Sequence, residues 1–303
     1  MKVLCTGAAG FIGSHVVEKL VKDGHEVIGL DNFSTGSHEN VKKGIKVVTC
    51  DVTSWFDLLA EFVDFEPDVV IHLAAQSAIS TSIKTPSNDA WHNVMGTLAV
   101  IKASEKLGVK RLIFSSTSAV YDTRSTGVLT EISRTDPNTP YGISKLAAES
   151  YVRNLFPESV VLRFGNVYGP RQVPIGENQV IPLMIRHFEK GDLFYIHGDG
   201  EQTRDFVYVY DVACAICLAM DGDHGVYNIA GSRPLSINNL ADALCEVYDV
   251  KDYQWQHDDQ NDPRRFVSMS ISEARERLGW EPQISILNGL NETVNWWKNH
   301  GKN

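Results

Sequence analysis

A glycine-rich segment near the start of the chain restricts the fold more than any other feature. Residues 6–13 read TGAAGFIG, with Gly7, Gly10 and Gly13 between an apolar run, KVLCT, and a helical pattern, FIGSHVVEKLVK. Glycines at this spacing let the backbone approach a pyrophosphate closely, and the following helix presents N–H donors to it. Asp31 ends the second apolar run, where its carboxylate can accept both ribose hydroxyls and repel a 2′-phosphate. The pattern predicts a dinucleotide-binding unit that prefers NAD to NADP.

Strands and helices alternate through the first half of the chain. The further apolar runs HEVIGLD, IKVVTCD, PDVVIHLA, VKRLIFSS and ESVVLRFGNVYGP lack polar alternation, as strands buried on both faces do. Helical stretches such as SWFDLLAEFVDF separate them, which predicts βαβ units and a parallel sheet. After about residue 170 the elements become shorter and mixed, so we expect a second, smaller region, with segments near 205–231 returning to the first.

Composition excludes several classes of protein. The net charge of −10 over 303 residues argues against nucleic acid as the main partner, because phosphate binding relies on lysine and arginine. No apolar run reaches the roughly 20 residues that a membrane helix needs, and the N-terminus enters the glycine motif too early for a secretory signal. Five scattered cysteines suit reduced thiols. We therefore expect a cytoplasmic protein with no membrane partner and no metal ligands.

The segment NTPYGISKLAAES, residues 138–150, predicts a helix with a reactive pair on one face. Thr139 suits the N-cap and Pro140 suits the first turn. Tyr141 and Lys145 then lie one turn apart, close enough to interact. A tyrosine beside an ammonium group can accept and donate a proton, whereas the plainer alternative is an amphipathic helix in which the two residues are incidental.

Motifs along nearly the whole chain, in order, resemble those of the extended short-chain dehydrogenases/reductases, in the branch that modifies nucleotide sugars. They are TGAAGFIG, DNFSTG, HLAAQ, NVMGT, SSTSAVYD, PYGISK, LRFGNVYGPRQ, GDGEQTRDFVYV and LGWEP. The resemblance implies an α/β fold: a Rossmann-type doubly wound parallel sheet that binds NAD, over residues 1–165, and a smaller mixed α/β domain for the nucleotide sugar, over residues 166–303. It also implies a homodimer formed through helices near 89–106 and 141–156.

The same resemblance assigns roles to single residues. Tyr141 and Lys145 match the family's acid/base and its partner, and Thr117 matches the hydroxyl that hydrogen-bonds the sugar oxygen. Asn93 matches an asparagine that supports the active-site helix. Asp51 and Val52 lie where an adenine edge can be read, or they simply cap the next helix. The residues expected around NAD are Gly7, Gly10, Phe11, Ile12, Gly13, Asp31, Asn32, Ser34, Gly36, Asp51, Val52, Leu73, Ala74, Ala75, Gln76, Asn93, Ser115, Tyr141 and Lys145.

The resemblance also implies a reaction. Lowering a tyrosine pKa from near 10 to about 7 takes roughly 4 kcal/mol, which Lys145 and a positive nicotinamide could supply. Tyr141 would then remove a sugar hydroxyl proton while hydride leaves the same carbon for NAD⁺. Family dehydratases and decarboxylases carry acids just after the catalytic hydroxyl, where this chain has Ser118 and Ala119. The expected activity is therefore 4-epimerisation of a UDP-hexose through a transient 4-keto sugar.

Two alternatives to this reaction stay open. One is another nucleotide-sugar oxidoreductase, such as a dehydratase or decarboxylase, that draws an acid from elsewhere in the pocket. The other is a non-catalytic NAD-binding protein, against which the presence of Thr117, Tyr141 and Lys145 speaks.

Contacts to the nucleotide sugar are implied in the second half of the chain. Asn166 and Arg204 match family residues that contact the diphosphate. The family's last diphosphate-binding arginine has no direct match, so Arg264 or the adjacent Arg265 is expected to replace it. Val267 falls where a larger tyrosine would restrict a 2-acetamido group, so UDP-GlcNAc/UDP-GalNAc and UDP-Glc/UDP-Gal are both candidate substrate pairs.

Overall fold

The computed structural model describes residues 1–122, 124–125, 127–174, 179–191, 194–231, 233–251, 255–259 and 266–300. The strands are β1 (Lys2–Thr6), β2 (Glu26–Asp31), β3 (Lys46–Thr49), β4 (Val69–His72), β5 (Arg111–Thr117), β6 (Ser159–Phe164), β7 (Asn166–Tyr168), β8 (Tyr195–His197), β9 (Thr203–Arg204), β10 (Phe206–Tyr208), β11 (Gly225–Ile229), β12 (Leu235–Ser236) and β13 (Gln256–Asp258).

The helices are α1 (Phe11–Lys22), α2 (Trp55–Phe65), α3 (Ile79–Lys84), α4 (Pro86–Ala90), α5 (Gly96–Lys106), α6 (Pro140–Leu155), α7 (Val180–Lys190), α8 (Val209–Leu218), α9 (Ile237–Tyr248), α10 (Ser272–Leu278) and α11 (Ile286–His300). A π-helical turn, Trp91–Met95, joins α4 to α5. None of the helices in the described ranges is both long and apolar enough to cross a membrane.

Seven parallel strands form the main sheet, in the order β11-β6-β5-β4-β1-β2-β3. Side chains alternate along a strand, so successive side chains of each strand point to opposite faces of the sheet. Val3 and Cys5 of β1 pack in the core beside α1 and α8, and Leu4 packs in the core beside α2 and α5. Helices therefore cover both faces, and the predicted doubly wound α/β fold is confirmed.

The strand order reverses between β1 and β4. From β1 the chain moves outward through β2 and β3, and from β4 it moves outward on the other side through β5 and β6. At such a switch point the loops leaving neighbouring strands separate, and a crevice forms at the carboxyl ends of the strands. The fold therefore provides a ligand crevice above β1 and β4.

The predicted single strand through residues 158–170 is interrupted at Gly165. There β6 ends, and the next residues form β7, which pairs with β10 in a separate two-stranded sheet. A Cβ at Gly165 would lie 2.7 Å from the Asp205 carbonyl oxygen, so the chain can leave the main sheet only because this residue has no side chain. The prediction of one continuous strand was wrong because this long-range contact ends it.

The smaller region contains a third core, built by α7, α9 and α11 against the short β7–β10, β9–β12 and β8–β13 pairs. Between α7 and α9 the chain returns to the main sheet, since α8 packs on α1 and β11 pairs with β6. This return falls within the segment predicted to rejoin the first region. The division at residue 165 into two domains stays a prediction.

Candidate active site

A cavity of about 420 Å³ lies at the carboxyl ends of the central strands. The residues that line it include Gly7 after β1, Asp31 from β2, Leu73 after β4 and Ser115 from β5. The residues predicted to surround NAD that line it are Gly7, Gly10, Phe11, Ile12, Gly13, Asp31, Asn32, Ser34, Val52, Leu73, Ala74, Ala75, Gln76, Ser115, Tyr141 and Lys145. The structure thus brings the glycine motif and the Tyr–Lys pair into one cavity.

The glycine loop is packed too closely for side chains at two of its three glycines. Gly7 has φ +71°, and a Cβ there would lie 2.8 Å from the Ala74 backbone nitrogen. A Cβ on Gly13 would overlap the Gly7 carbonyl oxygen, whereas a Cβ on Gly10 would meet that oxygen only at 3.2 Å. Helix α1 begins after Gly10 without a side-chain cap, so its first-turn N–H groups can serve an anion. The loop therefore fits a pyrophosphate.

The Asp31 carboxylate joins two loops at the cavity wall. Its Oδ2 accepts from the Ala9 N–H at 2.9 Å, and its Oδ1 accepts from the Phe33 N–H at 2.8 Å. Gly36 lies against it, because a Cβ there would come within 2.8 Å of Oδ1. The carboxylate is buried and fixed by backbone donors, and its remaining lone pairs are available to ribose hydroxyls.

Asp51 lies between Cys50 and Val52, two residues that line the cavity, although it does not line the cavity itself. Burial raises its pKa, but hydrogen bonds from Asn32 and Thr53 outweigh burial and hold the pKa below its ordinary value. His92, which sequence reasoning did not select, lines the cavity with its Nε2 3.9 Å from the Asp51 carboxylate. Its Nδ1 must donate to the Asn88 carbonyl, 2.9 Å away. No sequence signal marks His92, because the π-helical turn that orients it has none.

Helix α6 carries the acid/base pair. The Thr139 hydroxyl accepts from the Gly142 N–H at 3.2 Å, and Pro140 opens the helix, so the predicted helix start is confirmed. A Cβ on Gly142 would come within 2.5 Å of the Ala119 carbonyl oxygen. This close approach places the first turn of α6 against the segment that follows β5.

Burial dominates the titration of both members of the pair. It raises the pKa of Tyr141 to about 12, against a hydrogen bond from Thr117 that lowers it. It lowers the pKa of Lys145 to about 7, against the charges of Glu149 and Asp89, which raise it. The expectation that Lys145 and a positive nicotinamide together draw the tyrosine pKa down stays a prediction, since among the protein's own groups burial costs the phenolate more than its neighbours return.

A buried network supports the lysine from below. Lys145 Nζ lies 4.2 Å from the centre of the Phe114 ring. One turn further on, the Glu149 carboxylate accepts from Arg163 Nε at 3.1 Å and from the Ser116 hydroxyl at 2.8 Å. Glu149 and Arg163 are both almost fully buried. The i+4 spacing of Lys145 and Glu149 is a sequence signal for the position of Glu149, whereas no spacing points to Arg163.

Asn93 lies behind the cavity wall and joins three segments. Its Oδ1 accepts from the Gln76 N–H at 2.8 Å, and its Nδ2 donates to the Ser144 hydroxyl at 3.0 Å. The same Nδ2 lies 3.2 Å from the carboxylate of Asp89, another buried residue that sequence reasoning missed. Asn93 therefore connects the loop after β4 with α6.

A hydrogen-bonded chain connects this junction to β1. The Thr97 hydroxyl donates to the Asn93 carbonyl at 2.6 Å, so it must accept from His72 Nε2, which lies 3.0 Å away. The His72 Nδ1 is then an acceptor, and the Thr6 hydroxyl donates to it at 2.7 Å. Burial lowers the pKa of His72 to about 3, with a further lowering from Lys145, so the ring is neutral.

Several predicted residues lie away from the cavity wall. Gly36, Asp51, Asn93 and Thr117 are not among the residues that line it. The Asn166 N–H on β7 donates to the Asp205 carbonyl at 2.7 Å, and Arg204 on β9 donates to the Thr203 carbonyl at 2.7 Å. Arg264 and Arg265 lie outside the described residues.

Other residues line the cavity without having been predicted. Arg171, with φ +69°, and Gln172 contribute from the loop after β7. Arg171 pairs with Glu18 of α1, which attaches that loop to the helix carrying the glycine motif. Val267, by contrast, is buried in the core beside Met269 rather than in the cavity wall.

Comparisons with known proteins agree with this geometry. The family model of the NAD-dependent epimerase/dehydratase family matches residues 3–230. A putative UDP-glucose 4-epimerase of Methanocaldococcus jannaschii is 36% identical over 306 residues, covering 99% of each chain. The crystal structure of a UDP-glucose 4-epimerase with UDP-glucose, from Thermotoga maritima, has a TM-score of 0.95 at 36% identity and covers 100% of both chains.

A second solved structure extends the likeness to another sugar. The UDP-N-acetylglucosamine 4-epimerase from Methanobrevibacter ruminantium M1, in complex with UDP-N-acetylmuramic acid, has a TM-score of 0.91 at 31% identity and covers 98% of both chains. The glycine loop, the Tyr–Lys pair and these matches lead to one conclusion: the chain belongs to the NAD-dependent epimerase/dehydratase family.

Proposed function

We propose that this protein is a UDP-hexose 4-epimerase that works with bound NAD. The observation that carries the proposal is that Tyr141 and Lys145 line the same cavity as the glycine loop and Asp31. A tyrosine and a lysine suited to proton transfer thus share a cavity with residues suited to a dinucleotide, which supports the proposal. The similarity of the whole chain to UDP-glucose 4-epimerases supports the choice of reaction within the family.

The protein's own residues divide the work as follows. NAD supplies the acceptor and donor of hydride. The Gly7–Gly13 loop and Asp31 hold it, through backbone N–H groups and a carboxylate that suits ribose hydroxyls. Tyr141 takes the proton of the sugar hydroxyl and later returns it, and Thr117 hydrogen-bonds the reacting oxygen. When its amine is protonated, the positive charge of Lys145 favours the phenolate form of Tyr141.

The cavity wall also bears on the alternative reactions. A dehydratase or decarboxylase needs an acid that reaches the sugar. Among the described residues that line the cavity, Asp31 is the only carboxylate, and its backbone donors hold it at the ribose end. Ser118 and Ala119 supply no acid beside Thr117. This arrangement favours simple oxidation and return of hydride to the other face of the sugar.

The test is to incubate the purified protein, without added NAD, with UDP-Glc, UDP-Gal, UDP-GlcNAc and UDP-GalNAc in separate samples. Proton NMR should show the C4 epimer at unchanged mass, in both directions. A Tyr141→Phe variant should retain its cofactor and lose about 10²- to 10⁴-fold in kcat. A product of altered mass would replace the proposal with a dehydratase or decarboxylase. No conversion, even with NAD added, would support a non-catalytic NAD-binding protein.

N-acetylated sugars are the second substrate pair that we propose. The likeness to a UDP-N-acetylglucosamine 4-epimerase supports it, as does the moderate size of Val267. Because Val267 is 7% exposed and lies in a core, it would act on the sugar pocket through its neighbours. Turnover of both sugar pairs by wild type and Val267→Tyr tests this, and an unchanged preference would remove Val267 from the argument.

Asn166, Arg204 and Arg264 are proposed to hold the diphosphate.

We further propose that the protein is a cytoplasmic homodimer. Apolar side chains form a stripe along the π-helical turn and α6, with 43–54% of each exposed: Trp91, Met95, Ile143, Tyr151 and Leu155. A stripe of this kind suits burial against a second copy, because helices with apolar faces pack against one another. The five cysteines are free thiols, which supports a reducing compartment.

A further inference from the structure

A histidine that lines the cavity faces a carboxylate, and the two side chains present acceptors to the same space. His92 lies in the π-helical turn, and its side chain is 28% exposed. Its Nδ1 is 2.9 Å from the Asn88 carbonyl oxygen, which only accepts, so Nδ1 must carry a hydrogen. The Nε2 of the neutral ring is therefore an acceptor, and it lies 3.9 Å from Oδ2 of Asp51.

The Asp51 carboxylate is fixed by its neighbours but keeps a free lone pair. Its Oδ1 accepts from the Thr53 N–H at 2.8 Å and from the Thr53 hydroxyl at 2.7 Å. Its Oδ2 accepts only from Asn32 Nδ2, at 2.9 Å, among the residues that the structure describes. In the same described ranges no side chain donates to His92 Nε2. A donor that enters from the cavity can therefore bond to both atoms.

The surroundings of these two acceptors fit the adenine of a dinucleotide. Asp31, the carboxylate that suits the ribose hydroxyls, directly precedes Asn32, and Asn32 bonds to Asp51. The apolar residues that adjoin the two acids in sequence and line the cavity are Leu30, Cys50 and Val52. They offer apolar surface to an aromatic ring. The exocyclic amine of adenine has two hydrogens, so it can donate one to Asp51 and one to His92.

The plainer account of this geometry is an ion pair. A protonated His92 would donate from Nε2 toward Asp51 and hold the π-helical turn against the segment after β3. Such a pair would act on the fold alone, and its effect would be the same for every base in the cavity. An acceptor at Nε2 distinguishes an amine from a carbonyl oxygen, so the two accounts differ in the base that the protein retains.

We propose that His92 is a cofactor-binding residue that recognises, together with Asp51, the exocyclic amine of adenine and thereby selects the base of the dinucleotide. Asp51 is expected to read an adenine edge, and His92 supplies the second acceptor. Hypoxanthine carries a carbonyl oxygen in place of the amine, and that oxygen would face two acceptors without a hydrogen between them. The inference rests on NAD binding in the proposed function, and it is independent of the sugar and of the reaction.

Competition between two dinucleotides tests the proposal without a measurement of turnover. The purified protein is incubated with equal amounts of NAD and nicotinamide hypoxanthine dinucleotide until the bound ratio is constant, and the retained dinucleotides are quantified by chromatography. The wild type should retain NAD in about tenfold excess or more. His92→Leu removes the acceptor and should reduce that excess about five- to tenfold. The Asn88 carbonyl still accepts from the Trp91 N–H in this variant.

Two further variants separate recognition from structure. The amide of His92→Gln can accept from an amine or donate to a carbonyl, so this variant should retain NAD while admitting more of the hypoxanthine dinucleotide than the wild type. His224→Leu removes a histidine that is 64% exposed and does not line the cavity, and it should leave the ratio unchanged.

The outcomes distinguish this inference from the proposed function. If His92→Leu retains less of both dinucleotides at an unchanged ratio, His92 is only a structural partner of Asp51 and the proposal is overturned. A wild type that retains NAD in no excess over the hypoxanthine dinucleotide would overturn it as well, while leaving the epimerase assignment in place. A wild type that retains neither dinucleotide would overturn both.

Discussion

The glycines of the TGAAGFIG loop differ in what each one permits. Because a Cβ on Gly13 would overlap the Gly7 carbonyl oxygen, Gly13→Ala should displace the loop from α1. We expect a loss of about 2 kcal/mol or more in unfolding free energy, the scale of other backbone clashes. Gly10→Ala meets the same oxygen only at 3.2 Å and should keep the fold while retaining less NAD.

Thermal unfolding together with the NAD content of the purified protein separates these effects. Gly13→Ala should lower the melting temperature, and Gly10→Ala should lower chiefly the cofactor content. Equal melting temperatures for the two variants would show that the loop adjusts to a Cβ at either position.

Single residues also show how far sequence reasoning reaches. Gly7, Asp31, Tyr141 and Lys145 could be placed in one cavity because each follows a strand or begins a helix whose order was readable. Asp89 could not, since its partners come from a loop 13 residues earlier and from a π-helical turn. The raised pKa of Tyr141 could not be predicted from the sequence either, because burial of the phenol depends on packing that no local pattern encodes.

At the scale of elements, the Glu149–Arg163 pair joins α6 to β6. The Glu149 and Arg163 side chains are 0% and 3% exposed. Removing one partner of a buried pair leaves an uncompensated charge, so Arg163→Met should cost about 3–5 kcal/mol of unfolding free energy. Urea unfolding measures it. The control is the surface pair Arg275–Glu281, whose side chains are 56% and 53% exposed, and Arg275→Met should cost less than about 1 kcal/mol. Similar losses at both sites would contradict this account.

The elements themselves were predicted well where their pattern was local. The β1, β2, β4 and β5 runs and the start of α6 are close to their observed bounds. The interruption at Gly165 and the π-helical turn at Trp91–Met95 were not predicted. The interruption at Gly165 follows from the close approach of the Asp205 backbone, and an apolar run gives no sign of where a distant backbone will approach it.

At the scale of the whole molecule, the proposed dimer predicts that substitutions at two exposed isoleucines differ in their effect on assembly. Ile143 belongs to the apolar stripe on α6 and is 54% exposed, while Ile132 is 96% exposed and lies outside it. Ile143→Arg should place an uncompensated charge in the interface and yield monomers. Ile132→Arg should leave the dimer intact. Sedimentation velocity decides the matter, and a wild type that sediments as a monomer would refute the proposed interface.

The protein should lose stability as the pH is lowered, because of His72. Its pKa is about 3 in the folded protein and near 6.5 when unfolded, so only the unfolded chain binds a proton between these values. Stability from this group is therefore complete above about pH 6.5 and declines as pH falls toward 3, by about 1.4 kcal/mol per unit.

A His72→Asn variant isolates this contribution. Asparagine can still accept from the Thr6 hydroxyl, but it cannot take up a proton. Urea unfolding at pH 8, 6 and 5 should give a shallower decline for the variant than for the wild type. Parallel declines would show that another group governs the acid sensitivity. His15 should persist as a contributor in both proteins, because burial lowers its pKa to about 4.

The late pairing of β11 with β6 has a consequence for synthesis of the chain. Gly225 pairs with Val160, so β6 has no neighbour on that side until the ribosome has produced the segment through Ile229. In the meantime the apolar β6, buried along its whole length in the finished protein, is an edge strand open to pairing with other chains. A fragment ending near residue 165 would keep that edge permanently. The cofactor-binding half is therefore expected to aggregate when expressed alone, and the nascent chain to depend on chaperones until translation passes β11.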